Sequence, residues 1–299
     1  MKKICLFILL TLFAKSVSLA QDAWMTGFEA AKRLALAQDK MLLVVWDQST
    51  FYPLPVLVKD NQGGQVILNN LFESDAVIDL LWEHFVLVKL DESSFLELYN
   101  GIKDKRSFSY LDKFSDDSLK IMDANGNILI TTDPSGYVLD VFDLIQKYAL
   151  NTSFIKQELI NYRNDQNFYT AFYLGSKYID YAFYANDYIK KELLGLSNIY
   201  LEEAKARLES ERLDNKEALA QRFELLEIEQ ELAVGKANKV LRKLKRIDAS
   251  QLQGANNQLY AFLYYVSYML ENEQENASSW ESKVTPVDLE KAKVIINNQ

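Results

Sequence analysis

This chain contains very little cysteine, histidine and proline, and each shortage excludes certain kinds of site or segment. The 299 residues include one cysteine, Cys5, and one histidine, His84. A single histidine excludes metal sites built from several histidines and argues against a catalytic triad, so we expect His84 to be structural or exposed. Glycine and proline number only 10 and 4, which argues against extended linkers and low-complexity segments.

The first twenty residues have the pattern of a secretory signal peptide. Two lysines precede an apolar stretch over residues 4–14, and Ser18 and Ala20 occupy positions −3 and −1 of a small-residue cleavage site. The apolar stretch is too short to span a bilayer. We predict a signal peptide at residues 1–20 and export to the periplasm, with secretion outside the cell as the alternative. An uncleaved anchor is the other interpretation of this segment.

Cleavage after Ala20 leaves a mature chain without any cysteine, so thiol–disulfide chemistry is excluded. It also removes three lysines and no acidic residue, which moves the formal net charge from −9 to −12. Nucleic-acid binding needs clustered lysine and arginine, and such an acidic chain does not favour it. The basic cluster at residues 242–246 is most simply a solvated helix face.

Helices and strands alternate in the pattern of residues 22–150. Helical spacing over 25–38 leads into a continuous apolar run at 41–46, the signature of a strand buried on both faces. The pattern then predicts a helix from Ser74 or Asp75, strands at 85–91, 119–122 and 128–130, and a closing helix at 139–148. Between the last two strands, Asn125-Gly126 favours a tight hairpin turn. This order predicts an α/β domain with a central mixed sheet flanked by helices.

Three stretches of this half resemble exported bacterial members of the thioredoxin-like superfamily. They are the helix and central strand at 28–46, the helix and strand at 72–91, and the hairpin at 121–126. Their order and spacing carry the resemblance. It implies a thioredoxin-like fold, in which a Cys-x-x-Cys motif follows the central strand.

That motif is absent here. The best alignment puts Phe51-Tyr52-Pro53-Leu54 at its position, where only Pro53 matches the family and neither end has an ionisable sulfur. Asp117 stands where the family has a cis-proline. Because a cis bond before a non-proline residue costs roughly 2.5–4 kcal/mol, we expect a trans bond there. An apparent insertion also lies between Leu54 and Asp75.

Two interpretations of the Phe51–Leu54 segment compete. In one, these residues form an exposed apolar and aromatic patch that binds an extended peptide where the redox site used to be. In the other, they pack into the space of the lost disulfide. We expect these residues to pack into the interior, because the insertion would cover this corner of the domain, where the family has its redox motif.

Residues 151–299 are predicted to form an all-helical domain. No proline occurs between Leu150 and Pro286, and helical spacing indicates about six helices, among them 215–234, 236–247 and 256–273. The segment Leu174–Tyr178 fits the L-G-x-x-Y part of a tetratricopeptide (TPR) helix, although no clean repeat period appears. The domain is therefore TPR-like or a plain helical bundle. We expect the aromatic residues between 168 and 188 to fill the core of this domain, with the tyrosine hydroxyls at its solvent-exposed edge. The alternative is a face that binds sugars or peptides.

No catalytic set is recognisable. The sequence has no P-loop, dinucleotide fingerprint or serine elbow. The acidic pairs Asp91-Glu92, Asp116-Asp117 and Glu202-Glu203 are read as solvated surface rather than as the carboxylates of a glycosidase. The segment 123–127 only superficially resembles a calcium loop, because its glycine is fourth and not sixth, and we interpret it as a hairpin turn.

The sequence therefore favours a non-enzymatic binding or scaffold protein of the bacterial cell envelope that holds a protein partner. We expect no cofactor, no metal, no nucleic acid and no membrane-spanning segment in the mature chain. The alternatives are a folding helper that binds unfolded clients through Phe51–Leu54 without redox chemistry and, more remotely, a carboxylate-based glycan enzyme. Weak binding of divalent cations by surface acids is a further possibility.

Overall fold

The computed structural model of the chain describes residues 24–59, 63–132 and 138–298. The segment interpreted as a signal peptide, together with Cys5, lies outside the described residues. The described part is a mixed α/β protein with small mixed sheets and a helical C-terminal region, in agreement with the predicted class.

The first half of the described chain contains the strands. Its α-helices are α1 (Phe28–Gln38), α2 (Asp75–His84), α3 (Glu92–Ile102), α4 (Phe108–Ser115) and α5 (Val141–Tyr148). Its strands are β1 (Met41–Trp46), β2 (Val56–Lys59), β3 (Gln65–Leu68), β4 (Phe85–Leu90), β5 (Lys120–Met122), β6 (Ile128–Thr131) and β7 (Leu139–Asp140).

The main sheet has the strand order β4-β1-β5-β6. Strand β1 runs parallel to β4, with Met41 opposite Phe85, and antiparallel to β5, with Leu43 opposite Ile121. All six residues of β1 are buried, because helices and loops cover both faces of the sheet, as the continuous apolar run predicts. Strands β5 and β6 form the predicted hairpin through the turn at 123–127, where Gly126 takes a positive φ of 91°.

A second sheet, of order β3-β2-β7, was not predicted. The insertion after Leu54 contributes β2 and β3, which pair antiparallel with Val56 opposite Leu68. Strand β7 pairs parallel with β2 and occupies the first two positions of the predicted closing helix, which therefore begins only at Val141. The β-branched residues on both sides of the polar stretch 59–65 favour strands and are the sequence signal for this sheet.

Helices α3 and α4 were also not predicted from the sequence. Asp91 caps α3 by accepting a hydrogen bond from the Ser94 amide at 2.8 Å, and Ser107 caps α4 through the Tyr110 amide at 3.3 Å. Such side-chain caps are the sequence signal that could have placed both helices.

The second half of the described chain is helical, with eight α-helices rather than about six. They are α6 (Lys156–Asn164), α7 (Phe168–Tyr184), α8 (Asp187–Ser210), α9 (Lys216–Ala233), α10 (Ala237–Leu244), α11 (Asn256–Leu270), α12 (Gln274–Glu281) and α13 (Pro286–Asn297). The helices predicted at 215–234, 236–247 and 256–273 are α9, α10 and α11, and their bounds agree to within a few residues at each end. No helix of the described residues is long and apolar enough to cross a membrane.

Helices α7 and α8 pack closely because of a glycine. A Cβ atom at Gly175 would lie 2.7 Å from Cγ of Leu201 and 3.1 Å from the Ser197 carbonyl oxygen. The Ser197 hydroxyl donates a hydrogen bond to the Gly175 carbonyl at 2.7 Å. The glycine of the L-G-x-x-Y segment therefore sets the distance between two helices.

Candidate functional site

The structure brings together the two parts of the corner that the sequence predicts, the Phe51–Leu54 segment and Asp117. A turn at Asp47–Phe51 follows β1, and Tyr52, Pro53 and Leu54 come directly after it. These three residues and Asp117 line one groove of about 270 Å³, whose wall also includes Phe72 and Leu119.

A hydrogen bond joins the two parts directly. The hydroxyl of Ser49, in the turn after β1, donates to Oδ1 of Asp117 at 3.1 Å. Described residues contain no cis peptide bond, so the chain passes through Asp117 in the trans form, as predicted.

The packing interpretation of this corner is wrong for its two aromatic residues. Phe51 is 76% exposed and Tyr52 is 77% exposed. Only Leu54, which is half-buried, packs against the core. The corner stays open because the insertion forms the second sheet instead of folding over it. The returning chain is hydrogen-bonded to Leu54, whose carbonyl accepts a hydrogen bond from the Leu71 amide at 2.8 Å.

A buried lysine holds the loop that carries Asp117. The ammonium of Lys120, a residue with no exposed surface, donates to the carbonyl oxygens of Asp116 at 2.6 Å and Ser118 at 2.9 Å, and to Oδ1 of Asp116 at 3.0 Å. Burial lowers the pKa of Lys120, and the neighbouring charge of Asp116 opposes that shift. Because the two carbonyls flank Asp117, Lys120 fixes the shape of the groove wall.

The Lys120 clamp was missed by sequence reasoning. The signal that could have found it is a single lysine inside an otherwise apolar stretch, between Leu119 and Ile121, which was assigned to a strand. A charge placed in a strand that is covered on both faces must find partners within the fold.

A second cavity adjoins the groove, between β6 and the segment that forms β7 and α5. This cavity of about 440 Å³ shares Leu54 and Thr132 with the first and extends to Ile130 and Tyr148. Within the described residues, β6 is the outer strand of its sheet on this side. An outer strand presents backbone groups that a further extended chain can pair with.

The three acidic pairs do not share one environment. Asp91 is an exposed cap, as expected of surface acid. Asp116 is bound to Lys120, and the side chain of Glu203 is only 15% exposed and accepts a hydrogen bond from the Tyr162 hydroxyl at 2.8 Å. The prediction of solvated acid is therefore wrong for Glu203 and Asp116, which tertiary contacts surround with cations and hydroxyls.

Asp123, in the predicted hairpin turn, is fully buried and contacts the helical half. Its Oδ1 accepts hydrogen bonds from the amides of Asn125 and Asn127, both at 2.9 Å. Its Oδ2 accepts one from Tyr178 at 3.1 Å and another from Tyr200. The prediction of a solvent-exposed hydroxyl is therefore wrong for Tyr178, although Tyr173 and other tyrosines of the same helix are exposed.

His84 ends α2 and is half-buried. Among the described residues, no three histidine, cysteine or acidic side chains come together as a metal-binding group would require. Comparison of the chain with protein families, curated proteins and solved structures gave no match.

Proposed function

We propose that this chain is a non-enzymatic protein-binding protein of the bacterial cell envelope. In this proposal a thioredoxin-like domain without redox cysteines, residues 22–150, precedes a TPR-like helical domain, residues 151–299. The β4-β1-β5-β6 order, with one parallel and two antiparallel pairs, supports the first assignment. The antiparallel α7–α8 pair, closed by the glycine of the L-G-x-x-Y segment, supports the second.

The observation that carries the proposal is the exposure of Phe51 and Tyr52 beside the groove that Asp117 borders. Aromatic side chains with most of their surface in water are poor candidates for stabilising the fold, and they are frequent anchors in protein interfaces. The bound partner is an extended polypeptide segment, since the groove runs on to the outer strand β6, whose backbone can pair with such a segment.

The first experiment measures binding of an unfolded, cysteine-free client to the mature chain by fluorescence anisotropy. The double variant Phe51→Ser/Tyr52→Ser is expected to bind at least tenfold more weakly than the wild type. Both residues are exposed, so the unfolding free energy should change by no more than about 0.5 kcal/mol per site.

The matched control is Phe108→Ser, which removes an aromatic ring that is 84% exposed on α4 and does not line the groove. Client binding should be unaffected by this change. Equal loss of binding in the control and in the double variant would show that general surface hydrophobicity, and not this corner, holds the client.

Two further experiments, one with envelope extract and one with unfolded clients, distinguish a scaffold protein from a folding helper. A scaffold protein retains one specific protein from envelope extract on the wild type and loses it on the double variant. A folding helper suppresses aggregation of many unrelated cysteine-free clients. Export itself is tested by finding the mature chain, beginning near residue 21, in the periplasmic fraction.

A further inference from the structure

A second cleft, of about 530 Å³, lies where the helical half meets the α/β half. Helix α1, the loop between α3 and α4, helix α4 and the β5–β6 turn form one wall, and α8 with the end of α6 forms the other. Cavities of this size accommodate small organic molecules and occur preferentially between domains. The cleft is separate from the groove at Tyr52, because no residue lines both.

The charges around this cleft differ from the balance of the chain. Its lining includes four cationic side chains, Lys32, Lys105, Arg106 and Arg207, and three acidic ones, Asp104, Glu202 and Glu203. Cations exceed acids by one among the lining residues, but Lys32 also pairs with Glu29 and Arg207 with Glu211, both outside the lining. With so little surplus positive charge, the cleft suits a monoanion better than a doubly charged phosphate.

Two guanidinium groups flank Glu203 in the cleft. Arg207 lies 3.1 Å from one oxygen of that carboxylate and also donates to Glu211 at 3.4 Å. Arg106 lies 3.8 Å from the other oxygen and donates to Asn127 at 3.1 Å. The Nε atom of each arginine is buried without a hydrogen-bond partner among the described residues. A guanidinium has five N–H donors, so the terminal nitrogens of both arginines keep donors beyond these bonds for a further acceptor.

A phenol adds a third donor. The oxygen of Tyr110 accepts a hydrogen bond from the Ile128 amide at 3.1 Å and lies beside the Arg106 guanidinium, and none of the described residues accepts its proton. Burial raises the pKa of Tyr110 to about 12, so the hydroxyl keeps its proton at neutral pH. Apolar surface completes the lining, from Phe28, Ile102 and Phe114.

We propose that this cleft binds a small organic monocarboxylate with an apolar or aromatic body. The carboxylate accepts hydrogen bonds from Arg106, Arg207 and Tyr110, and the body lies against the apolar residues Phe28, Ile102 and Phe114. Arginine suits this task because its planar fork matches the two oxygens of a carboxylate.

The test uses 4-phenylbutyrate as the probe and its uncharged amide as the matched compound, with binding measured by isothermal titration calorimetry on the mature chain. The acid is expected to bind at least tenfold more tightly than the amide. No binding of the acid at 10 mM, or equal binding of acid and amide, overturns the proposal.

Three variants locate the binding. Arg207→Gln should weaken the acid at least tenfold, whereas Lys205→Gln, an equal charge change at an exposed position of the same helix outside the lining, should not. Ala206→Trp places a large ring in the cleft from an exposed position and should block it without unfolding the chain, which circular dichroism checks. Unchanged affinity in Ala206→Trp would put the probe elsewhere and overturn the proposal.

Discussion

The hydroxyl of Tyr178 donates a hydrogen bond to the carboxylate of Asp123 over 3.1 Å, between residues 55 positions apart. Asp123 belongs to the β5–β6 turn and Tyr178 to helix α7, so the bond crosses from the strand-containing half to the helical half. Tyr200 of α8 donates to the same oxygen. Because all three side chains are buried, water cannot replace these bonds, and the two halves are held in one relative position.

The first prediction concerns the pH dependence of this contact. Burial raises the pKa of Asp123 above its usual 3.8, while hydrogen bonds from Tyr200 and the turn amides oppose the rise. A carboxyl with a raised folded pKa stabilises the fold most while it is protonated, and this contribution is lost as pH rises from about 4 through the folded pKa. Asp123→Asn has no such loss, so its unfolding free energy should improve relative to wild type as pH rises. Urea unfolding between pH 4 and pH 7 measures the difference, and a constant difference would contradict the prediction.

The second prediction compares two helical glycines. Gly175→Ala places a methyl group against Leu201 and should destabilise the protein by about 1–2 kcal/mol, because overpacking outweighs the gain in helix propensity. Gly195→Ala, in the exposed part of α8 with nothing within 4 Å of its Cβ, should stabilise it by roughly 0.5–1 kcal/mol. Thermal unfolding of both variants provides the comparison. Stabilisation by Gly175→Ala as well as by Gly195→Ala would show that Gly175 does not set the helix spacing.

The third prediction concerns a largely buried ion group in the helical half, in which Glu229 is buried and Asp180 is half-buried. Lys291 lies 2.5 Å from Asp180 and 2.7 Å from Glu229; burial alone would lower its pKa, but the two carboxylates outweigh burial and raise the pKa. Lys291→Met leaves those carboxylates without their cation and should cost about 3–5 kcal/mol. Lys293→Met removes an exposed pair with Glu290 and should change the free energy of unfolding far less, because water already solvates both charges. Denaturant unfolding measures both, and equal costs would refute the role assigned to burial.

The fourth prediction concerns the Lys120 clamp. In Lys120→Met the carbonyls of Asp116 and Ser118 lose their shared donor, so the loop that carries Asp117 should open more often. Hydrogen exchange of the Ser118 and Leu119 amides should accelerate at least tenfold, while amides in the centre of β1 change little. If exchange in the loop stays at the wild-type rate, the lysine does not hold this wall.

Long periodic segments were predictable from the sequence because their pattern reflects the face they bury. The run at 41–46 gave a buried strand, and the spacing over 256–273 gave a helix that ends at Leu270. Short elements were not. Strand β7 has two residues, and its pairing with β2 depends on contacts between segments more than 70 positions apart, which no local pattern records.

The candidate groove was partly predictable. Alignment of the central strand placed Tyr52 and Asp117 at corresponding positions of one corner, and both line the groove. Their exposure was not predictable, because it depends on where the inserted hairpin goes. The cleft at Arg207 was invisible for a similar reason, since its walls come from helices that are adjacent only after the two halves pack.

By itself, the sequence determined that the chain beyond residue 20 has no thiol, that a strand-containing half precedes a helical half, and which long segments form each. These properties follow from composition and from local periodicity, which a linear chain records directly. Only the tertiary structure decided that Phe51 and Tyr52 face water, that Lys120 clamps the neighbouring loop and that Asp123 joins the two halves. Exposure and polar pairing depend on groups far apart in the chain, and packing alone determines which of them meet.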